Sequence, residues 1–237
     1  MNYAKLIAKK EFKSYFNTPS AYVILVAFLL ISGWFSFSTF FLNNRAELSA
    51  LFNIVPLIYI FFIPAITMGL IAKEKSSGTI ELLSTFPINS SDIVYGKFMS
   101  SVGLIAVGLA FTLIHFFTVL LLGKNIDFGA IFCGYLGLLL LGGVYSAIGI
   151  FASGLSKNQI VAFIISIFII FFLFIIQFTL FLMPSYLAGF FQYLSVGYHL
   201  SNISRGIIDT RNLIYFFSLI VLFLKLSVYM LEADRKN

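Results

Sequence analysis

Charge is what this sequence has least of. Only 10% of its 237 residues are Asp, Glu, Lys or Arg, against roughly a quarter in an ordinary soluble domain, so a water-facing globular fold is excluded. It has one cysteine, Cys133, inside an apolar run. No intramolecular disulfide can form, and cysteine leaves the compartment open. The two histidines, His115 and His199, lie on different segments. There is no metal-spaced Cys/His set, no H-E-x-x-H and no G-x-S-x-G. Gly96-Lys97 and Gly123-Lys124 lack the earlier glycine and the following Ser/Thr of a P-loop, so that cradle for ATP phosphates is missing. None of the nine Asp/Glu falls inside a long apolar run, which argues against an ion- or proton-coupled carrier. Low-complexity tracts and clear internal repeats are missing too. A cleavable signal is not expected, because the basic N-terminal stretch is long and no small-residue cleavage site follows.

What is present is apolar length. Hydrophobic residues make up 60% of the chain, 30 of them Phe, and the mean hydropathy is +1.03. These values predict an all-α, multi-pass membrane protein. Six spans are expected near residues 21–42, 51–72, 98–122, 128–155, 160–183 and 213–231, each close to or above the roughly 20 residues that cross a bilayer. With the N-terminus inside, ten basic residues are cytoplasmic: Lys5, Lys9, Lys10, Lys13, Lys73, Lys75, Lys97, Lys157, Arg235 and Lys236. Four are external: Arg45, Lys124, Arg205 and Arg211. The inverted topology reverses that ratio, so both termini are expected inside. The net charge of +6 then reflects membrane orientation and needs no nucleic acid.

Residues 1–18 precede the first span. Lys5, Lys9, Lys10 and Lys13 fall within an arc of roughly 140° on a helical wheel, opposite Ile7, Phe12 and Tyr15. Leu6, Glu11 and Phe16 spoil the pattern. A helix lying flat in the cytoplasmic interface is expected, touching membrane lipids. Residues 184–212 are long, rich in Tyr, Phe and Gly, and too weakly apolar to span. Two short helices, 186–194 and 199–208, are expected there as an external re-entrant hairpin bearing His199, Arg205, Gly206 and Asp209.

Within the spans, Gly142-x3-Ser146 and Gly149-x3-Ser153 are spacings that let helices approach closely, and intramolecular packing is preferred to a dimer contact. Pro56 and Pro64 are expected to kink or soften the second span. Lys225 is read as a snorkelling residue, and His115 and Gln177 as interhelical hydrogen-bond partners.

The most informative stretch is residues 73–97, between the second and third spans. Lys73, Glu74, Lys75, Ser76, Ser77 and Gly78 are read as a water-facing lead-in. Residues 80–86 are apolar enough to bury and too short to cross. Pro87 stops them, and Asn89 is expected to cap a new helix with Asp92 near its dipole. A short apolar helix displayed beside a membrane needs a protein partner or lipid, and the partner is preferred.

These residues carry a resemblance. Glu74-x3-Gly78-Thr79-x-Glu81-Leu82-Leu83-x3-Pro87 followed by Ile93-Val94-x-Gly96-Lys97 resembles the corresponding loop of ABC-2-type permeases. Ile63-Pro64-Ala65-Ile66-Thr67-Met68, Asn158-Gln159-Ile160-Val161-Ala162-Phe163 and Ile203-Ser204-Arg205-Gly206-Ile207-Ile208-Asp209 look like the gliding-motility (Gld-type) branch. The similarity covers nearly the whole chain, 1–237, as a single transmembrane domain. The family frequently has an arginine after Thr67-Met68, where this chain has Gly69, so an anchoring role for that arginine does not carry over.

The resemblance implies a six-span permease subunit of a bacterial inner-membrane exporter, not itself an enzyme. It implies a partner ATPase, in two copies, that holds the ATP and Mg; this chain needs no cofactor or metal. A second permease chain, as homodimer or heterodimer, and an external-domain subunit are further implied partners. The loop 73–97 becomes a coupling loop. Ile80, Leu82, Leu83 and Phe86 supply its buried contact, Glu74 and Glu81 its charge complementarity, and Gly78, Thr79 and Pro87 its bends. Lys157, Asn158 and Gln159 form the second cytoplasmic loop. Two functions remain open: export of a lipid-like, amphiphilic or polymeric substrate, or mechanotransmission to an external partner without a translocated solute.

Overall fold

A computed structural model describes residues 3–43, 48–79, 88–122, 127–179, 184–207 and 209–236. Among the described residues there are ten helices and no strand: α1 (Tyr3–Asn17), α2 (Pro19–Asn43), α3 (Ser49–Thr67), α4 (Gly69–Ser76), α5 (Ser90–Leu122), α6 (Phe128–Leu155), α7 (Gln159–Thr179), α8 (Ser185–Leu194), α9 (Val196–Ser204) and α10 (Thr210–Lys236). Six stretches are long and apolar enough to cross a membrane, with α3 and α4 together forming the second. The expected all-α fold with six spans is what the chain adopts.

The boundaries meet the expectation in part. The third long helix begins at Ser90, where the expected Asn89 cap puts it: Asn89 O accepts from the N–H groups of Asp92 and Ile93, so two turns of helix precede the apolar span expected from 98. The lead-in 73–76 is helical, a continuation of the second span. The helix containing His199 runs Val196–Ser204, not 199–208. Ser195 caps it by accepting from Tyr198 N–H, and Gly206, at φ +86°, lies just beyond its end.

α6 is the hub. Two-thirds of its span is buried, against 22% for the first and last spans. Its small residues make this possible, since each admits a neighbour against the backbone. A Cβ at Gly134 would lie 2.5 Å from the Phe52 ring, and one at Gly142 would lie 2.9 Å from Ile105. One at Gly149 would overlap Thr67 Oγ1 and sit 2.8 Å from Thr67 Cβ. The small-x3-small spacings therefore serve packing inside the chain, as the sequence suggested.

The second span runs helically through Pro56 and Pro64 and is interrupted at Met68. Ser153 holds this junction. Its Oγ donates to Met68 O at 2.7 Å and accepts from Ile71 N and Ala72 N at 3.0 Å each. Those N–H groups belong to the first turn of α4. A serine one turn beyond Gly149 thus sets the direction in which α4 leaves the bundle.

His115 does not make its expected hydrogen bond. It meets Phe37 edge-on at 5.2 Å, and its Nδ1 is buried without a partner among the described residues. Gln177 packs onto Gly197 of α9, and Lys225 is exposed.

Candidate functional site

The ionic contacts gather at the end of the bundle that carries both chain termini. α1 docks on α5 across two glycines. Ile7 and Ala4 O crowd the Cβ position of Gly96 at 2.7 and 2.8 Å, and Phe12 lies 3.2 Å from that of Gly103. This puts Glu11, the residue that spoils the apolar face of α1, against Lys97. Lys97 is 1% exposed and reaches Glu11 Oε1 at 3.3 Å and Glu74 Oε1 at 2.7 Å. One ammonium therefore joins α1, α4 and α5. Charge-assisted bonds of this kind are short and strong, and the burial makes each partner depend on the others. The Tyr15 phenol completes the α1 contact by donating to Ile66 O at 3.5 Å. Burial, reinforced by the Glu11 carboxylate, raises its pKa, so it stays a neutral donor.

α4 is fixed on its other side by Lys75. Its ammonium lies 2.5 Å from Asp234 Oδ2 of α10 and donates to Gly154 O near the end of α6. α4 then closes at Ser77 and Gly78, whose N–H groups bond Lys73 O and Lys75 O. Gly78 adopts φ +70°, a conformation that a residue with a side chain adopts only at a cost. Thr79 Oγ1 donates to Glu74 O at 3.3 Å and bonds Ser77 Oγ at 3.0 Å. Ile80, Glu81, Leu82, Leu83, Phe86 and Pro87 lie outside the described residues. What the structure describes is the frame around them.

The frame corrects the reading of 73–78 as a water-facing lead-in. Glu74 and Lys75 are tied into the bundle, and the Glu74 Oε2 atom is buried without a partner among the described residues. Gln159, read as a loop residue, is the first residue of α7. Its Oε1 lies 3.0 Å from the Cβ position of Gly69, so its side chain occupies the space above that glycine. Lys157 and Asn158 are exposed, and Asn158 Oδ1 accepts from Ile160 N–H at 2.8 Å to cap α7. Lys5, Lys9, Lys10 and Lys13 are exposed on the side of α1 away from α5. Between α1, α4 and α5 lies a half-open cavity of about 330 Å³, lined in part by Glu11, Tyr15, Lys73, Glu74, Lys97 and Gln159.

His199, Arg205, Gly206 and Asp209 are at the opposite end and take no part in this frame. His199 is buried. Its Nδ1 is 2.7 Å from Asn212 Oδ1, its Nε2 is 2.9 Å from Tyr193 O, and its ring stacks on Tyr215 at 4.0 Å. It braces α8 and α9 against α10. Asp209 starts α10 by accepting from Arg211 N–H at 2.9 Å, and Arg205 is exposed. Replacing His199 with Phe keeps the stack but leaves buried Asn212 unpaired. Stability is expected to fall by about 1–3 kcal/mol, read as a lower unfolding midpoint in detergent.

The residues not anticipated as a set are Glu11, Lys97, Asp234, Arg235 and Ser153. The signal available for two of them was a mismatch: an acid on the apolar face of α1, and a lysine seven residues inside the helix that begins at Ser90.

Six apolar stretches of membrane length, one of them the buried hub, define a multi-pass membrane protein. Residues 5–234 match the ABC-2 family transporter protein, and the chain belongs to that family. It is a membrane-transport component, a class that acts with an ABC ATPase and is not itself catalytic. Comparison with curated proteins gives no match.

Proposed function

We propose that this chain is the permease subunit that seats its 80–87 segment in a groove of a separate ATPase and converts that subunit's closure into movement of the spans. The observation that carries the reading is the ionic frame. A short apolar segment, Ile80-Glu81-Leu82-Leu83-Ser84-Thr85-Phe86, emerges between two helix ends that are both tied into the bundle. A segment held at both ends transmits displacement, whereas a loose one absorbs it. In this reading the termini and the frame face the cytoplasm of a bacterial inner-membrane protein, and α1 lies in the inner interface. Two ATPases supply ATP and Mg, and two permease chains pair. Glu74 is committed to Lys97, so Glu81 remains as the acid for a basic groove.

The cargo class follows from the bundle. The hub α6 is closed by Phe52, Ile105 and Thr67 against its glycines, so a route runs between two permease chains rather than through one. At the end away from the termini, a cavity of about 480 Å³ is lined by Asn53, Tyr145, Gln177, Ser201 and aromatic rings, with no charged group among the described residues. Neutral hydrogen-bonding groups beside aromatics suit a lipid-like or amphiphilic substrate, including a polymer with such a headgroup. The tightly packed hub equally favours the mechanotransmission reading, in which α8 and α9 deliver work to an external subunit. The Gld-type resemblance supports either.

Leu83→Asp is the test. The chain is expected to remain in the membrane while ATPase recovery on co-purification falls by at least about 30-fold, the loss of one buried anchor. Full recovery of the ATPase with the variant would overturn the docking assignment.

A further inference from the structure

Asp234 and Arg235 are successive residues of α10, and they hold described residues on either side of the 80–87 segment. On the leading side, Asp234 Oδ2 pairs with Lys75 Nζ at 2.5 Å. On the trailing side, Arg235 Nη1 donates to Ile88 O at 3.0 Å. Lys75 and Ile88 are 13 positions apart in the chain, yet two adjacent side chains reach both. The Arg235 Nε and Nη2 atoms are buried with no partner among the described residues, which leaves donors for a second acceptor.

We propose that the C-terminal turn of α10 is a strap, with Asp234 and Arg235 as positioning residues that fix Ile88 relative to α4, the two described sides of the 80–87 segment. The assignment rests on the reading of that segment as the ATPase contact. α4 closes at Gly78, at φ +70°, and Lys75 of α4 and Ile88 are held by α10 on either side of the 80–87 segment. The grip comes from a rigid element. α10 has 27 residues, a helix of roughly 40 Å. Its far end is fastened to the α8–α9 hairpin by Asn212 on His199 and by Tyr215 Oη donating to Leu194 O at 2.6 Å. One helix thus has the proposed ATPase contact at one end and the hairpin at the other.

The experiment uses the full chain in lipid nanodiscs, as wild type, Asp234→Asn with Arg235→Gln, and Asp234→Glu. Amide hydrogen exchange is followed in peptides covering 76–79 and 88–92. The double variant is expected to exchange about five-fold faster there, as for loss of a partly exposed ion pair and one carbonyl bond, with the spans unchanged. Asp234→Glu, which keeps the charge, is expected to restore the wild-type rate. Unchanged exchange in the double variant overturns the strap, whether or not an ATPase is bound. A rise spread evenly over all helices also overturns it, because it reports general loss of stability. Co-purification of the ATPase with the wild-type chain is scored separately. Its absence overturns the docking assignment, while the exchange comparison still decides the strap.

Discussion

Lys97→Met is expected to destabilise the folded chain by about 3–5 kcal/mol, the cost of breaking a buried charge set by removing one member. The reason is the imbalance left behind. Lys97 is 1% exposed, and its two partners, Glu11 and Glu74, have side chains only 18% and 20% exposed. Without the ammonium, two carboxylates share a partly dehydrated site with no cation between them. α1 and α4 both lose their tie to α5, so the frame around 80–87 loosens from two sides at once. The measurement is the unfolding midpoint of purified protein, together with ATPase recovery. The companion variant carries Lys97→Met, Glu11→Gln and Glu74→Gln. Removing all three charges is expected to recover much of the loss, since replacing a whole buried ionic set by neutral groups is far less costly than orphaning part of it. A wild-type midpoint for Lys97→Met alone would show that the triad contributes nothing.

Gly149→Ala is expected to cost about 1–3 kcal/mol, the range for overpacking a closed core. The new methyl would overlap Thr67 Oγ1 and lie 2.8 Å from Thr67 Cβ. The hydroxyl can rotate away at the expense of its 2.9 Å bond to Ile63 O. The Cβ cannot, because it is fixed to the α3 backbone. α3 and α6 must therefore separate, and the displacement reaches Ser153 one turn on. Its bonds to Met68 O, Ile71 N and Ala72 N set the direction of α4. The expected result is a lower unfolding midpoint and weaker ATPase capture from one added carbon. Thr67→Ala in the same chain is expected to rescue only part of it, since the Cβ contact remains. Full rescue would show that the hydroxyl alone was the obstacle.

Much of the architecture was legible because it follows from solvent. A bilayer demands roughly 20 apolar residues per crossing, and the runs are visible by eye. The glycines of the fourth span announced close packing, since a residue without a side chain in an apolar helix has little other use. Helix ends were less legible. The start of α5 at Ser90 was legible from Asn89, but the helix expected over 199–208 runs Val196–Ser204, because Ser195 caps it by accepting from Tyr198 N–H. The N-terminal helix was read as a flat amphipathic element with three flaws, and one flaw, Glu11, proved to be its anchor. A helical wheel scores an acid on the apolar face as noise; a buried lysine on another helix makes it a contact.

The order of oily runs, their lengths and the distribution of lysines are properties of the chain read one residue at a time, and they determined the class of protein and its helices. Which charges meet is different in kind. Lys75 finds Asp234 and Lys97 finds Glu11 across separations of 159 and 86 residues. Ion pairing acts over a few ångströms and carries no periodicity along the sequence. Only the packing of α1, α4, α5 and α10 at one end of the bundle could choose those partners.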